Sequence, residues 1–173
     1  MSLSKVRCKI NSVDDNMKQL FDDRMECANQ VAEVKIAEED KVFKPLREKE
    51  IAERFADDKE YLTFIKKVMQ ISRRRQYGIF LDRVASVSEE LRAVKADILD
   101  KGFLELKLKT DDMSTDGLNV NDVLSVIADS SLHIKKLNVD ESGMVHVVLD
   151  VEDNESCIRE AMVLAYMLGE ETL

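Results

Sequence analysis

Residues 21–35 read FDDRMECANQVAEVK, and they sit in a helical seam with one residue out of character. From the N-terminus the seam recurs at steps of four and three: Val6, Ile10, Val13, Met17 and Leu20, then Cys27, Val31 and Val34. That is the spacing of an apolar stripe along an α-helix. Between Leu20 and Cys27 the step falls on Arg24, a guanidinium where the pattern asks for an apolar side chain. No Gly or Pro interrupts Leu3 to Glu39, so the spacing predicts one helix of about 35 residues, roughly 50 Å long. A helix of that length cannot bury its stripe alone. It calls for an equally long partner.

Beyond this helix, AEEDKVFKP reads as a break, and Pro45 suits the first position of a second helix. PLREKEIAERFADD is amphipathic, with Leu46, Ile51, Ala52 and Phe55 expected to face inward. A third helix is predicted from about Lys59 to Tyr77, with Leu62, Ile65, Val68, Met69 and Ser72 on its inner face and Gly78 at its end. Residues 79–101 are helical again, carrying Leu81, Val84, Leu91, Val94 and Ile98, with Ser86 and Glu89 at capping-box spacing. At Gly102 the period changes. FLELKLK alternates as a strand, NVNDVLSVIADS is a helix, LHIKKLNV and MVHVVLDV are strands joined by DESG, and NESCIREAMVLAYMLGEE is a closing helix. The expected fold class is therefore α + (α/β), with helices over 1–78, a helical linker over 79–101 and a β-α-β-β-α unit over 102–173.

A single Pro and five Gly in 173 residues agree with long helices. The net charge of −9 argues against a nucleic-acid surface, although an acidic protein can still hold a basic pocket. Cys8, Cys27 and Cys157 are an odd number with no metal-ligand spacing. Cys8 and Cys27 would stand about 28 Å apart on one helix, too far for a disulfide. MSLSKVRCKI has no apolar run of signal-peptide length, and no segment reaches the ~20 apolar residues of a membrane span. A soluble, cytoplasmic protein with no membrane and no nucleic-acid partner is expected.

Several polar residues lie on or beside the apolar stripes. Arg24 is in the seam, Arg7 adjoins Val6 and Lys35 adjoins Val34. Ser72 and Gln76 are four apart and share a helix face, while Arg47 and Glu48 fall in the first turn after Pro45. A lone seam arginine is usually a snorkelling side chain or a pairing device. A cluster of inward cations without anionic partners is different: desolvating each costs several kcal/mol, so the cluster implies a bound anion. Arg24 and Lys35 are three turns apart at nearly the same azimuth, about 16 Å along the axis, and can bracket a small molecule. Arg7 is about 25 Å from Arg24 and rotated by about 100°, so it reaches such a ligand only from a second, antiparallel copy.

VRCKINSVDDNMKQLFDDRMECANQVAEVK, PLREKEIAERF and SRRRQ together resemble the all-helical chorismate mutase family over residues 3–78. The family pattern is an early Arg, a mid-helix Arg and a Lys eleven residues on, an Arg-Glu pair on the second helix, and a Ser and a Gln four apart on the third. Here these fall on Arg7, Arg24, Lys35, Arg47, Glu48, Ser72 and Gln76.

The resemblance implies an intertwined homodimer that rearranges chorismate to prephenate, for Phe and Tyr biosynthesis, without a cofactor or metal. It implies Lys35 and Gln76 as donors to the breaking ether oxygen and Glu48 as the holder of the ring hydroxyl. Arg24, Arg47, Ser72 and the partner's Arg7 would bind the substrate. Where many members have an acidic residue four positions before the Glu, this chain has Lys44.

The tail resembles an ACT-type regulatory domain in element order, with Asp116, Gly117 and Asn119 at the strand-to-helix junction as candidate effector contacts; the bland alternative is a turn and helix cap. His133 and His146 read as surface residues. Two other functions stay open: a non-catalytic dimeric binding protein on a degenerate mutase fold, and an isochorismate pyruvate-lyase. The lyases share the basic residues but generally lack the Glu.

Overall fold

With no Gly or Pro before Pro45, the chain begins as one uninterrupted helix, α1, Leu3–Ala37. A computed structural model describes residues 2–84, 88–109 and 119–171. The Ser2 hydroxyl accepts from the Lys5 amide at the start of α1, and Glu39, in the left-handed region at φ 54°, follows its end. Pro45 opens α2, Pro45–Arg54, as its fixed φ and missing N–H favour. The third helix, α3, Lys59–Val84, starts where the Asp58 carboxylate accepts from the Tyr61 amide at 2.9 Å.

Two expectations change here. The seam of α1 is exposed in the single chain: every residue from 2 to 20 is exposed, and so are Cys27, Val31 and Val34. The stripe of α1 that α3 buries is a different one, Met25, Ala28 and Ala32, whose two alanines let the helices approach closely. Leu46 likewise is 71% exposed rather than inward, because it lies on the side of α2 that no other element covers.

Gly78 does not end α3. The helix runs six residues further, with Phe80 and Leu81 buried. Gly78 is there for clearance: a Cβ at this position would come within 3.1 Å of the Arg159 guanidinium, which donates to the Gly78 carbonyl at 3.2 Å. After α3 comes α4, Glu89–Lys101, capped by Ser88, whose hydroxyl accepts from the Leu91 amide. Ser86 and the side chain of Val84 lie outside the described residues. Gly102, at φ 70°, closes α4 in the left-handed conformation that glycine adopts without strain.

The remaining elements are β1 (Phe103–Lys109), α5 (Val120–Ala128), β2 (His133–Val139), β3 (Met144–Asp150) and α6 (Glu155–Glu171). The sheet order is β1-β3-β2, and both outer strands are antiparallel to β3. β1 and β2 are thus parallel to each other with β3 between them, a split β-α-β arrangement. Leu104, Leu106 and Leu108 stand opposite Leu149, Val147 and Val145, so the alternating residues of both strands line one inner face. β2 is an exposed edge strand, bulged between Ile134 and Lys136 and carrying two lysines, which discourage further strand pairing.

The closing helix α6 ties the molecule together. Ala161, Met162, Val163, Leu164, Met167 and Leu168 are buried, and α6 packs against α3, α4, α5 and β1. One apolar core therefore runs from Ala32, Val42 and Tyr77 through α6 to Val145 and Val147 of the sheet. The helical part and the β-containing part share this core, and the last turn of α6 meets α3 at Arg73 and the α1–α2 connection at Phe43.

Candidate active site

Residues of α1, α2 and α3 together line a cavity of about 510 Å³. Its walls include Arg24 and Lys35 of α1, Arg47 and Glu48 of α2, and Ser72, Arg73 and Gln76 of α3. Six of the seven residues singled out from the sequence are thus brought together. Arg7 is not among them. It is exposed on the free end of α1, well away from this cavity of its own chain.

Arg24 departs from the seam because it turns toward α3, where its NH1 donates to Ser72 Oγ at 3.0 Å. Lys35 Nζ donates to the Val42 carbonyl at 2.5 Å and to Gln76 Oε1 at 3.3 Å. Gln76 Nε2 in turn donates to the Ser72 carbonyl at 3.4 Å, which holds its amide at the cavity wall. Ser72 and Gln76 are buried, as their positions on the inner face of α3 require.

Among the described residues neither Arg24 nor Lys35 forms an ion pair, so the cavity holds two cations with no carboxylate bonded to them. Burial lowers the Lys35 pKa, and the nearby Lys44 ammonium lowers it further; Asp40, Glu170 and Glu48 offset part of this. Lys44 itself pairs with Asp40 at the rim. Arg47 is on the rim as well, largely solvated and bonded to Glu50 at 2.8 Å.

Glu48 is held by a residue that the sequence reading passed over. Arg73 NH1 donates to Glu48 Oε1, and Arg73 Nε donates to Glu171 Oε1 at 2.8 Å. Burial opposes the charge on Arg73, but the two carboxylates outweigh it and raise its pKa. The signal was in SRRRQ: Arg73 lies three residues before Gln76 and so flanks it on α3. Its neighbours go elsewhere, Arg74 to Glu160 and the Asp129 carbonyl, and Arg75 to Asn29.

Of the tail candidates, Asn119 does not line this cavity. Asn119 caps α5, its side chain accepting from the Asp122 amide at 3.0 Å, while Asp116 and Gly117 lie outside the described residues. His146 Nε2 is 2.8 Å from Glu105 across the β1–β3 pair, and no three His, Cys, Asp or Glu side chains among the described residues cluster to hold a metal. Cys8, Cys27 and Cys157 are free thiols. No helix among the described residues is long and apolar enough to cross a membrane.

The site is thus a basic cavity in a helical bundle, with N–H and O–H donors beside two cations that form no ion pair among the described residues. Residues 6–77 match the family model of chorismate mutase type II. No curated protein and no solved structure matched the chain.

Proposed function

We propose that the cavity converts chorismate to prephenate by a Claisen rearrangement, one step toward Phe and Tyr. The observation that carries this is a cavity holding two cations that form no ion pair among the described residues, Arg24 and Lys35, with Ser72 and Gln76 bonded to them. The reaction is an isomerisation: one C–O bond breaks as one C–C bond forms, with no proton, electron or group exchanged with the protein. Catalysis then needs only placement of the substrate and stabilisation of charge, which this set of residues supplies without a cofactor.

The substrate is a dianion. Arg24, oriented by Ser72, would take one carboxylate, and Arg47 would swing inward from the rim to line the site. As the C–O bond breaks, negative charge grows on the ether oxygen, where Lys35 Nζ and Gln76 Nε2 would donate. Donors that meet charge developed only in the transition state raise turnover more than binding. Glu48 would accept from the ring hydroxyl.

The second carboxylate needs Arg7 from another copy. An intertwined homodimer fits the exposed seam, because Val6, Ile10, Val13, Met17 and Leu20 lie on the same free half of α1 as Arg7. The β-α-β-β-α part, with its split β-α-β topology, is proposed as an ACT-like regulatory unit joined to a mutase unit. Three free thiols suit a reducing cytoplasm.

The test is spectrophotometric. Purified protein should consume chorismate and release prephenate, and Lys35→Ala should reduce kcat by about a hundredfold or more, the usual cost of one oxyanion donor. Unchanged turnover in Lys35→Ala, or none in the wild type, would reject the assignment.

A further inference from the structure

Arg73 stands between carboxylates from opposite ends of the chain. Glu48 belongs to α2, whereas Glu171 belongs to the last turn of α6, 98 residues beyond Arg73. The Arg73 side chain is 8% exposed and that of Glu171 0%. A guanidinium presents its donors in a rigid fork, so fixing Nε also fixes the direction of NH1. The same turn of α6 holds the α1–α2 connection: Glu170 Oε1 accepts from the Phe43 amide at 3.2 Å, and the Phe43 ring lies 5.3 Å from the Arg73 guanidinium.

Glu171 is a poor choice for stability alone. Its Oε2 and the Tyr77 hydroxyl are both buried without a hydrogen bond of ordinary geometry among the described residues. Burying a carboxyl costs free energy that an apolar side chain would not, and burial raises the Glu171 pKa accordingly. What it contacts is Arg73, whose Nε donates to Glu171 Oε1.

We propose that Glu171 is a positioning residue: by anchoring Arg73 Nε it aims Arg73 NH1 at Glu48 and so fixes the carboxylate that meets the substrate's ring hydroxyl. This rests on the mutase reading of the cavity. It places the end of the C-terminal helix in the working structure of the site, so that movement of α6 is felt at Glu48.

The groups facing Glu171 are Arg73 and Tyr77 from α3 and Glu48 from α2, with Glu170 beside it on α6. Burial pushes the Glu171 carboxyl up to about 7 against the pull of Arg73. Raising the pH through that value ionises Glu171 and tightens its hold on Arg73.

Steady-state kinetics on the full chain test the proposal. Glu171→Gln keeps the shape but not the charge. It should raise KM about tenfold with kcat little changed, the loss expected for one charge-assisted hydrogen bond. Arg73→Lys, which keeps the charge but not the fork, should raise KM similarly. The wild-type KM should fall between pH 6 and pH 8, while that of Glu171→Gln stays flat. In a Glu48→Gln background, Glu171→Gln should add nothing further. A purely structural role would lower kcat through loss of folded protein and leave KM alone. Unchanged KM in both variants, or an equal increment in the Glu48→Gln background, overturns the positioning role while the mutase reading stands. An inactive wild type overturns both.

Discussion

The two halves of α1 share one helix and have opposite surroundings. From Phe21 onward the helix packs Met25, Ala28 and Ala32 against α3 and turns Arg24 and Lys35 into a cavity. Before Phe21 it buries nothing, yet it carries the most regular apolar seam in the chain, together with Arg7. One half is read by its own chain through small residues; the other presents large apolar side chains to solvent. A stripe of this length exposed on a helix is the usual mark of an interface, and under the proposed function a second copy covers it.

The largest effect should come from spoiling the free half. Ile10→Glu combined with Met17→Glu puts two charges on the seam without touching any intrachain contact. Sedimentation should show a dimer for the wild type and a monomer for the variant. Activity should fall about a hundredfold as the partner's Arg7 is lost, while helical circular dichroism largely persists. A variant that stays dimeric would break the contrast between the halves.

A smaller effect is expected in the packed half. Ala32→Leu forces a large side chain between α1 and α3 at a fully buried position and should cost about 1–3 kcal/mol in chemical denaturation. The same change at Glu33, on the exposed side of the helix, should be near neutral. Equal costs at both positions would mean that the Ala28–Ala32 contact is not as drawn.

The smallest effect concerns pH. Lys44 lowers the Lys35 pKa, and Lys35 must be charged to stabilise the ether oxygen. A lowered lysine pKa loses its charge as pH rises, so activity has an alkaline limb. Removing the Lys44 charge takes away one of the causes that lower the Lys35 pKa, after burial, and should move that limb upward in Lys44→Ala. A downward shift of the limb in kcat against pH would contradict this placement of Lys44.

These residues also mark how far the sequence could be read. Element types and most boundaries followed from period: the 4-3 spacing of α1, the alternation in FLELKLK and MVHVVLDV, and Pro45 and Gly102 as stops. Spacing put Arg24 and Lys35 on one face of α1, three turns apart, and Ser72 and Gln76 on one face of α3, while their grouping into one site came from the resemblance to the mutase family. The Ala28–Ala32 stripe was not legible, since small residues carry a weak hydrophobic signal even where they allow the closest packing. Gly78 misled for a related reason: it looked like a terminator, but it is a gap for Arg159 arriving from α6. Arg73 and Glu171 were out of reach because their pairing depends on where α6 docks, 98 residues away, and no local period encodes that.

Mixing two inactive variants tests most directly whether α1 serves two subunits at one time. Arg7→Ala damages what the free half gives to the partner, and Lys35→Ala damages what the packed half gives to its own chain. A mixed dimer has one site with both defects and one with neither. Half of the dimers are mixed after equal exchange, so chorismate turnover should recover to about a quarter of the wild-type value. No recovery, with subunit exchange verified by native mass spectrometry, would show that the site is not shared.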